Sequence, residues 1–331
     1  MNQRLYSNFI NSIRSEETKV KYDYCINDFI KFVGTDNLTG LAVEQSVIDY
    51  IGYMRDRQLS SKTINVRLSA IYHFYAMNDI TLNKVKIGKF KPEFVRTKKD
   101  RAYSHSEIGK MLQNSELRMK ICILLMASSG LRLGAIPELK LKHLSEYINS
   151  NSTSIFKINI YENTNDEYFT FVTPECSQFI QEYINQRRLI GEKVTDEAYL
   201  IREHFDVFNP KESRGISKST IRHIIQKILK KSGIKVNVSE THGFRKFFTT
   251  QLIQSKVNPE IREMLLGHKI GLASAYYRPT EQEMFTEYEK AIDSLTINEE
   301  NRLRRKVETL TIDDSRLDRM ERAVERLEKL L

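Results

Sequence analysis

Apolar residues recur at helical spacing along most of this 331-residue chain, and only two short runs read as strands. A chain patterned in this way folds mainly as helices around a small sheet. In the first part, Ser15-Glu16-Glu17-Thr18 is a capped start. Over residues 19–33, Val20, Tyr24, Ile26, Phe29, Ile30 and Val33 fall near helical spacing, and Gly34 stops the run. Residues 43–54 form a second amphipathic run. Ser60-Ser61 precedes a third over 62–77, with Ile64, Leu68, Ile71, Tyr72 and Phe74 apolar. Residues 1–83 are therefore expected to form a bundle of four or five helices. Residues 84–101 carry eight basic and two acidic side chains, and no helical period is visible after Phe90. Pro92 interrupts the stretch, which reads as an extended connector. It is either a solvated linker or a strap that tracks a polyanion between two domains.

Residues 102–298 are expected to form a second domain, mostly α with one small sheet. Ser104 or Ser106 can cap its first helix, and an apolar helix follows at 119–128. Strand-like runs at 154–161 and 168–172 are joined by polar residues 162–167 as a β-hairpin with a long loop. Helices are expected at 174–188, 219–231, 244–255 and 259–266. The tail, 299–331, is rich in Arg, Glu and Leu. Leu303, Val307 and Leu310 share one apolar spacing, and Leu317, Met320, Val324, Leu327 and Leu331 another. Residues 311–315 separate the two sets. The tail is either a helix exchanged with a second subunit or a charged terminal helix on its own subunit.

A net charge of +9 favours a polyanionic partner, because every phosphate contact releases counterions. Cys25, Cys122 and Cys176 lack metal-ligand spacing, which excludes a disulfide scaffold and a cysteine zinc site and suits a reducing cytoplasm. The longest apolar run, 121–127, is too short to span a bilayer. The start has no apolar core or cleavage site, so secretion is not expected.

Three clusters in the second domain carry chemistry. Ser129-Gly130-Leu131-Arg132 follows the apolar helix, where a glycine bend can hold a guanidinium rigidly. His242-Gly243-Phe244-Arg245 places His and Arg at i, i+3 on one face of a helix start. Leu266-Gly267-His268 is followed nine residues later by Tyr277, with Tyr276 beside it. Each is weak alone. In this order and spacing, together with Ser60 to Ile71 in the first bundle, they resemble the tyrosine recombinase (phage-type integrase) family over nearly the whole chain.

The resemblance implies a helical core-binding (SAM-like) domain and an α+β catalytic domain, clamped around double-stranded DNA. Tyr277, chosen over Tyr276 on its distance from the LGH motif, would attack a scissile phosphate and form a 3′-phosphotyrosyl bond. A partner strand's hydroxyl would then reverse the step, with no cofactor and no metal. Arg132 and Arg245 would hold the non-bridging oxygens of the pentacoordinate transition state. His242 would assist proton transfer at the nucleophile, and His268 would hydrogen-bond the phosphate. The resemblance also implies inverted-repeat core sites, a homo-tetramer joined through C-terminal helix exchange, a place on nucleoid DNA in the cytoplasm, and a mobile-element role. Two positions depart from the family. Aligning Thr164 with the threonine before the usual hairpin lysine leaves Asn165 at that place, and a frequent glutamate is Ala135. Relaxation of supercoils in the manner of a type IB topoisomerase, or DNA binding without cleavage, are the alternative activities.

Overall fold

The helices begin where the sequence offers a hydroxyl. Ser15, Ser60, Ser104 and Ser217 each accept the backbone N–H three residues on, satisfying a donor that the helix itself cannot. The protein is seen in a computed structural model that describes residues 3–35, 38–39, 42–93, 100–148, 154–203, 214–234, 238–271, 277–304, 307 and 311. The chain divides into two units, residues 1–98 and 99–331.

The first unit contains α1 (Gln3–Asn11), α2 (Glu16–Val33), α3 (Val43–Asp56), α4 (Ser61–Ala76) and α5 (Lys84–Gly88). Gly34 ends α2 at a φ of 84°, as its place in the sequence suggests. The core joins Phe9, Phe29, Ile51, Leu68, Ile71 and Phe74. The helix α5 corrects the extended reading of residues 84–101 at their start. Asn83 caps it, and Ile87 is anchored in the core. Five residues are too few to show a period. Arg96, Lys98 and Lys99 of that stretch lie outside the described residues.

One polar cluster is buried in this bundle. Arg67 of α4 is 6% exposed and donates to Asp28 of α2 and, at 2.7 Å, to the Tyr50 hydroxyl of α3. Tyr50 donates in turn to Asp28 at 2.6 Å. Three helices thus share one ion pair. Removing one partner of such a pair leaves the other charge buried. Asp28→Ala is expected to cost about 3 kcal/mol, read as a lower urea midpoint.

The second unit is organised around α7 (Leu117–Ser129), the most apolar run of the sequence, whose residues 121–129 are all buried. A helix apolar on every side belongs in the middle of a core. Against it pack α6 (His105–Gln113), α8 (Pro174–Leu189), α9 (Lys218–Lys231), α10 (His242–Gln254) and α13 (Ile292–Leu295), while α11 (Pro259–Leu265) packs on α10 and α12 (Glu281–Glu289) on α11. The sheet is an antiparallel meander of β1 (Leu144–Ile148), β2 (Ser154–Ile160) and β3 (Tyr168–Phe171), with Leu144 opposite Ile158 and Ile160 opposite Tyr168. The hairpin expected from the sequence is therefore two strands of three. β1 carries Ser145 and Glu146 outward and leaves Ile148 exposed, so its apolar residues do not alternate along the strand.

Glu175 in the first turn of α8 is buried and accepts the backbone N–H groups of Ile297 and Asn298 at 2.8 and 3.1 Å. The segment after α13 is thus tied to the domain by a carboxylate at a helix start, where negative charge is favoured. Leu310 and the second apolar set of the tail lie outside the described residues. No described helix is long and apolar enough to cross a membrane.

Candidate active site

Two left-handed glycines and one helix start build the site. Gly130 ends α7 at a φ of 65°, and a Cβ there would lie 2.5 Å from the Phe248 ring of α10. Only glycine permits both the backbone angle and that approach. Gly267 follows α11 at the same φ of 65°, with the Tyr168 ring of β3 2.5 Å from where its Cβ would be. Between these turns runs α10, whose first residue is His242 and whose fourth is Arg245.

Arg245 joins the three motifs. It is 6% exposed and donates to the carbonyl of Gly130 at 2.6 Å and to the carbonyl of Leu266. The same nitrogen that reaches Leu266 lies 2.9 Å from His268 Nε2. An arginine can only donate, so Nε2 is the acceptor and the His268 proton sits on Nδ1. That proton is given to Glu263 Oε2 at 2.6 Å. The His268 bond, with Arg262, holds the Glu263 carboxyl below its ordinary range. Burial and the Arg132 charge push the Arg245 guanidinium down, and the neighbouring Tyr168 offsets part of this.

Arg132 lies two residues beyond the Gly130 turn and is exposed. Its charge acts on Arg245, His242, Tyr161 and Tyr168. His242 is exposed at the rim. Burial of its ring, then Lys246 and Arg245, push its pKa below the ordinary value, so the imidazole is neutral at neutral pH and free to accept a proton. Lys246 is itself paired with Asp100 at 2.7 Å. Arg132, His242, Arg245 and His268 are thus gathered at one place. Two guanidinium groups beside a neutral imidazole suit the stabilisation of a phosphate dianion and the removal of a proton.

Tyr277 is not gathered with them. It is 36% exposed, and after burial the charges acting on its phenol are Glu283, Glu287 and Glu260, which raise its pKa. Tyr276 lies outside the described residues. Lys157 is held by Glu281 at 2.7 Å and rests on the Phe169 ring. Ala135 is buried and Asn165 sits in the hairpin loop. Glu263, Tyr161 and Tyr168 are neighbours that sequence reasoning did not reveal. Glu263 reaches His268 across the end of α11, which no helical spacing announces, and the two tyrosines resemble any strand aromatic.

Comparison with known proteins bears on the whole arrangement. The sequence model of the phage integrase family matches residues 101–283, and that of the phage integrase N-terminal SAM-like domain matches residues 6–78. Tyrosine recombinase XerC of Lactobacillus leichmannii is 22% identical over 251 residues, covering 70% of this chain and 77% of its own. Tyrosine recombinase XerA of Pyrococcus furiosus is 22% identical over 287 residues, covering 84% and 89%. The fold is shared with the Tn1549 transposon integrase in complex with circular intermediate DNA, at a TM-score of 0.59 and 18% identity over 86% of this chain and 97% of that one. It is also shared with a lambda integrase from a tetramer bound to a Holliday junction, at a TM-score of 0.57 and 14% identity over 84% and 78%. Matched by the family's own sequence pattern across more than half its length, the chain belongs to the phage integrase family, the tyrosine recombinases.

Proposed function

We propose that this tyrosine recombinase, a site-specific DNA strand-exchange transesterase, works through Tyr277 as nucleophile with Arg132, His242, Arg245 and His268 around the scissile phosphate. The observation that carries the reading is Arg245, which touches the Gly130 turn, the α11 end and His268 at once. The Tyr277 oxygen attacks phosphorus while His242 takes the phenolic proton. Arg132 and Arg245 offset the charge that grows on the non-bridging oxygens. The product is a 3′-phosphotyrosyl ester and a 5′-hydroxyl, and a partner strand's hydroxyl reverses the step. The ester keeps the bond energy, so the cycle needs no ATP.

The Tn1549 integrase and the lambda integrase tetramer were solved on DNA. From the family resemblance we infer that this chain acts on paired inverted-repeat core sites as a tetramer that exchanges C-terminal helices, in the service of a mobile element. Incubation with a nicked suicide duplex of the element's flanking repeats tests the reading. An SDS-resistant protein–DNA adduct is expected, with or without EDTA. Binding without any adduct on the true site would favour the non-cleaving alternative.

The His242 environment sets a pH dependence. Cleavage requires the neutral imidazole, whose pKa lies below its ordinary value. Single-turnover cleavage is therefore expected to be level at neutral pH and to fall only once the pH drops below the ordinary imidazole range. His242→Ala should slow cleavage roughly 100-fold and remove that step. A step that persists in His242→Ala assigns the titration to another group.

A further inference from the structure

A phosphate oxygen in the diester only accepts hydrogen bonds, so a histidine that binds one must present an N–H. His268 presents none toward the arginines. Its Nε2 accepts from Arg245 at 2.9 Å, and its Nδ1 proton is given to Glu263 Oε2 at 2.6 Å. Two routes would put a proton on Nε2. The ring can move its one proton there from Nδ1, or it can take up a second. The first route leaves the Nδ1 lone pair facing the Glu263 carboxylate, two acceptors 2.6 Å apart with no proton between them. The second sets an imidazolium between two anions, the carboxylate and the phosphate, and opposite charge at that range favours the charged form.

The geometry points to Glu263 as the positioning residue that makes His268 hold the DNA phosphate as an imidazolium, so that DNA binding takes up one proton at this ring. The backbone fixes the pair. His268 N–H donates to the Glu263 carbonyl at 2.9 Å and Gly267 N–H to the Met264 carbonyl at 2.8 Å. The left-handed turn after α11 thus folds the ring back onto a carboxylate five residues earlier. That carboxylate stays charged, because the His268 bond and Arg262, 3.3 Å from Oε1, hold it below its ordinary range. From α10, Arg245 opposes a second positive charge on the ring until a phosphate enters for both to share. From β3, Tyr168 packs its ring on the Gly267 turn and brings a neutral phenol. Lys269, the next residue, is paired with Asp166 at 3.0 Å.

The step balances without a co-reactant. Nε2 gains one proton from solvent as the phosphate arrives and returns it when the DNA leaves. Cleavage and religation consume none of it.

This inference rests on the recombinase reading above, and two readouts separate them. The full chain is titrated with the nicked suicide duplex at about pH 7.5, in two buffers of unlike ionisation enthalpy, so that calorimetry counts the protons taken up. Wild type is expected to take up roughly half to one proton more than His268→Gln, whose amide donates without titrating. Glu263→Gln keeps an acceptor for Nδ1 but not its charge, and should take up clearly fewer than wild type. Single-turnover cleavage is the second readout. Wild type should lose rate on the alkaline side with the slope of one proton, and Glu263→Gln should lose it at a pH lower by about 1 unit or more. Glu263→Asp, which keeps the charge, should stand nearer to wild type. An alkaline fall at the same pH in wild type and Glu263→Gln, an equal loss in Glu263→Gln at every pH, or equal proton uptake by wild type and His268→Gln overturns the inference. His268-dependent uptake without any adduct would end the cleavage reading and leave this inference standing. An adduct without that uptake would do the reverse.

Discussion

Tyr277→Phe is expected to abolish the SDS-resistant adduct on a suicide duplex, while Tyr276→Phe retains it. The change removes one oxygen, and that oxygen is the proposed nucleophile. The fold should not notice. Tyr277 is 36% exposed and precedes the capping box of α12, in which Thr280 and Glu283 exchange hydrogen bonds without it. The melting temperature of Tyr277→Phe should match wild type, and DNA binding should survive. The structure adds a physical requirement. Burial and the charges of Glu283, Glu287 and Glu260 raise the pKa of the phenol, so the phenolate is disfavoured where Tyr277 lies. The proposed attack needs it to exchange those carboxylates for the guanidinium groups of Arg132 and Arg245, which favour a phenolate. An adduct that survives in Tyr277→Phe and vanishes in Tyr276→Phe would move the nucleophile one residue back.

Arg245→Ala should fail in two ways at once. Its cleavage rate should drop by about 10²- to 10³-fold or more, the usual cost of removing one positioned donor from a developing oxyanion. Its stability should also fall by about 2–3 kcal/mol, because the Gly130 and Leu266 carbonyls lose a buried donor and the His268 ring loses its hold. Arg132→Ala is the comparison. Arg132 is exposed, so its loss should lower the cleavage rate similarly and leave the urea midpoint near wild type. Equal stability in the two variants would show that Arg245 is not the tie between the motifs. Unchanged cleavage in both would remove the arginines from the chemistry.

How much of this was legible follows from the range of each interaction. Helix starts at Ser15 and Ser60, a start at Ser104 or Ser106, the stop at Gly34 and the apolar helix at 119–128 depend on neighbours within a few positions, and the sequence displays them. The strand β1 and the helix α5 were not legible. β1 shows no apolar alternation and exists by pairing with β2. α5 is one turn inside a basic stretch and is held by the core contact of Ile87.

The order and spacing of Arg132, His242, Arg245, His268 and Tyr277 by themselves determined the family and the kind of chemistry, because the identities of reactive side chains are written directly in the chain. Only the tertiary structure decided how those groups stand toward one another. Arg245 lies 115 positions from Gly130 and 21 from Leu266, yet it bonds to both. Glu263 sets the His268 tautomer, and Tyr277 rests among carboxylates. Such pairings are made by burial, which collapses distant segments onto one core, and local spacing holds no record of which distant segments will meet.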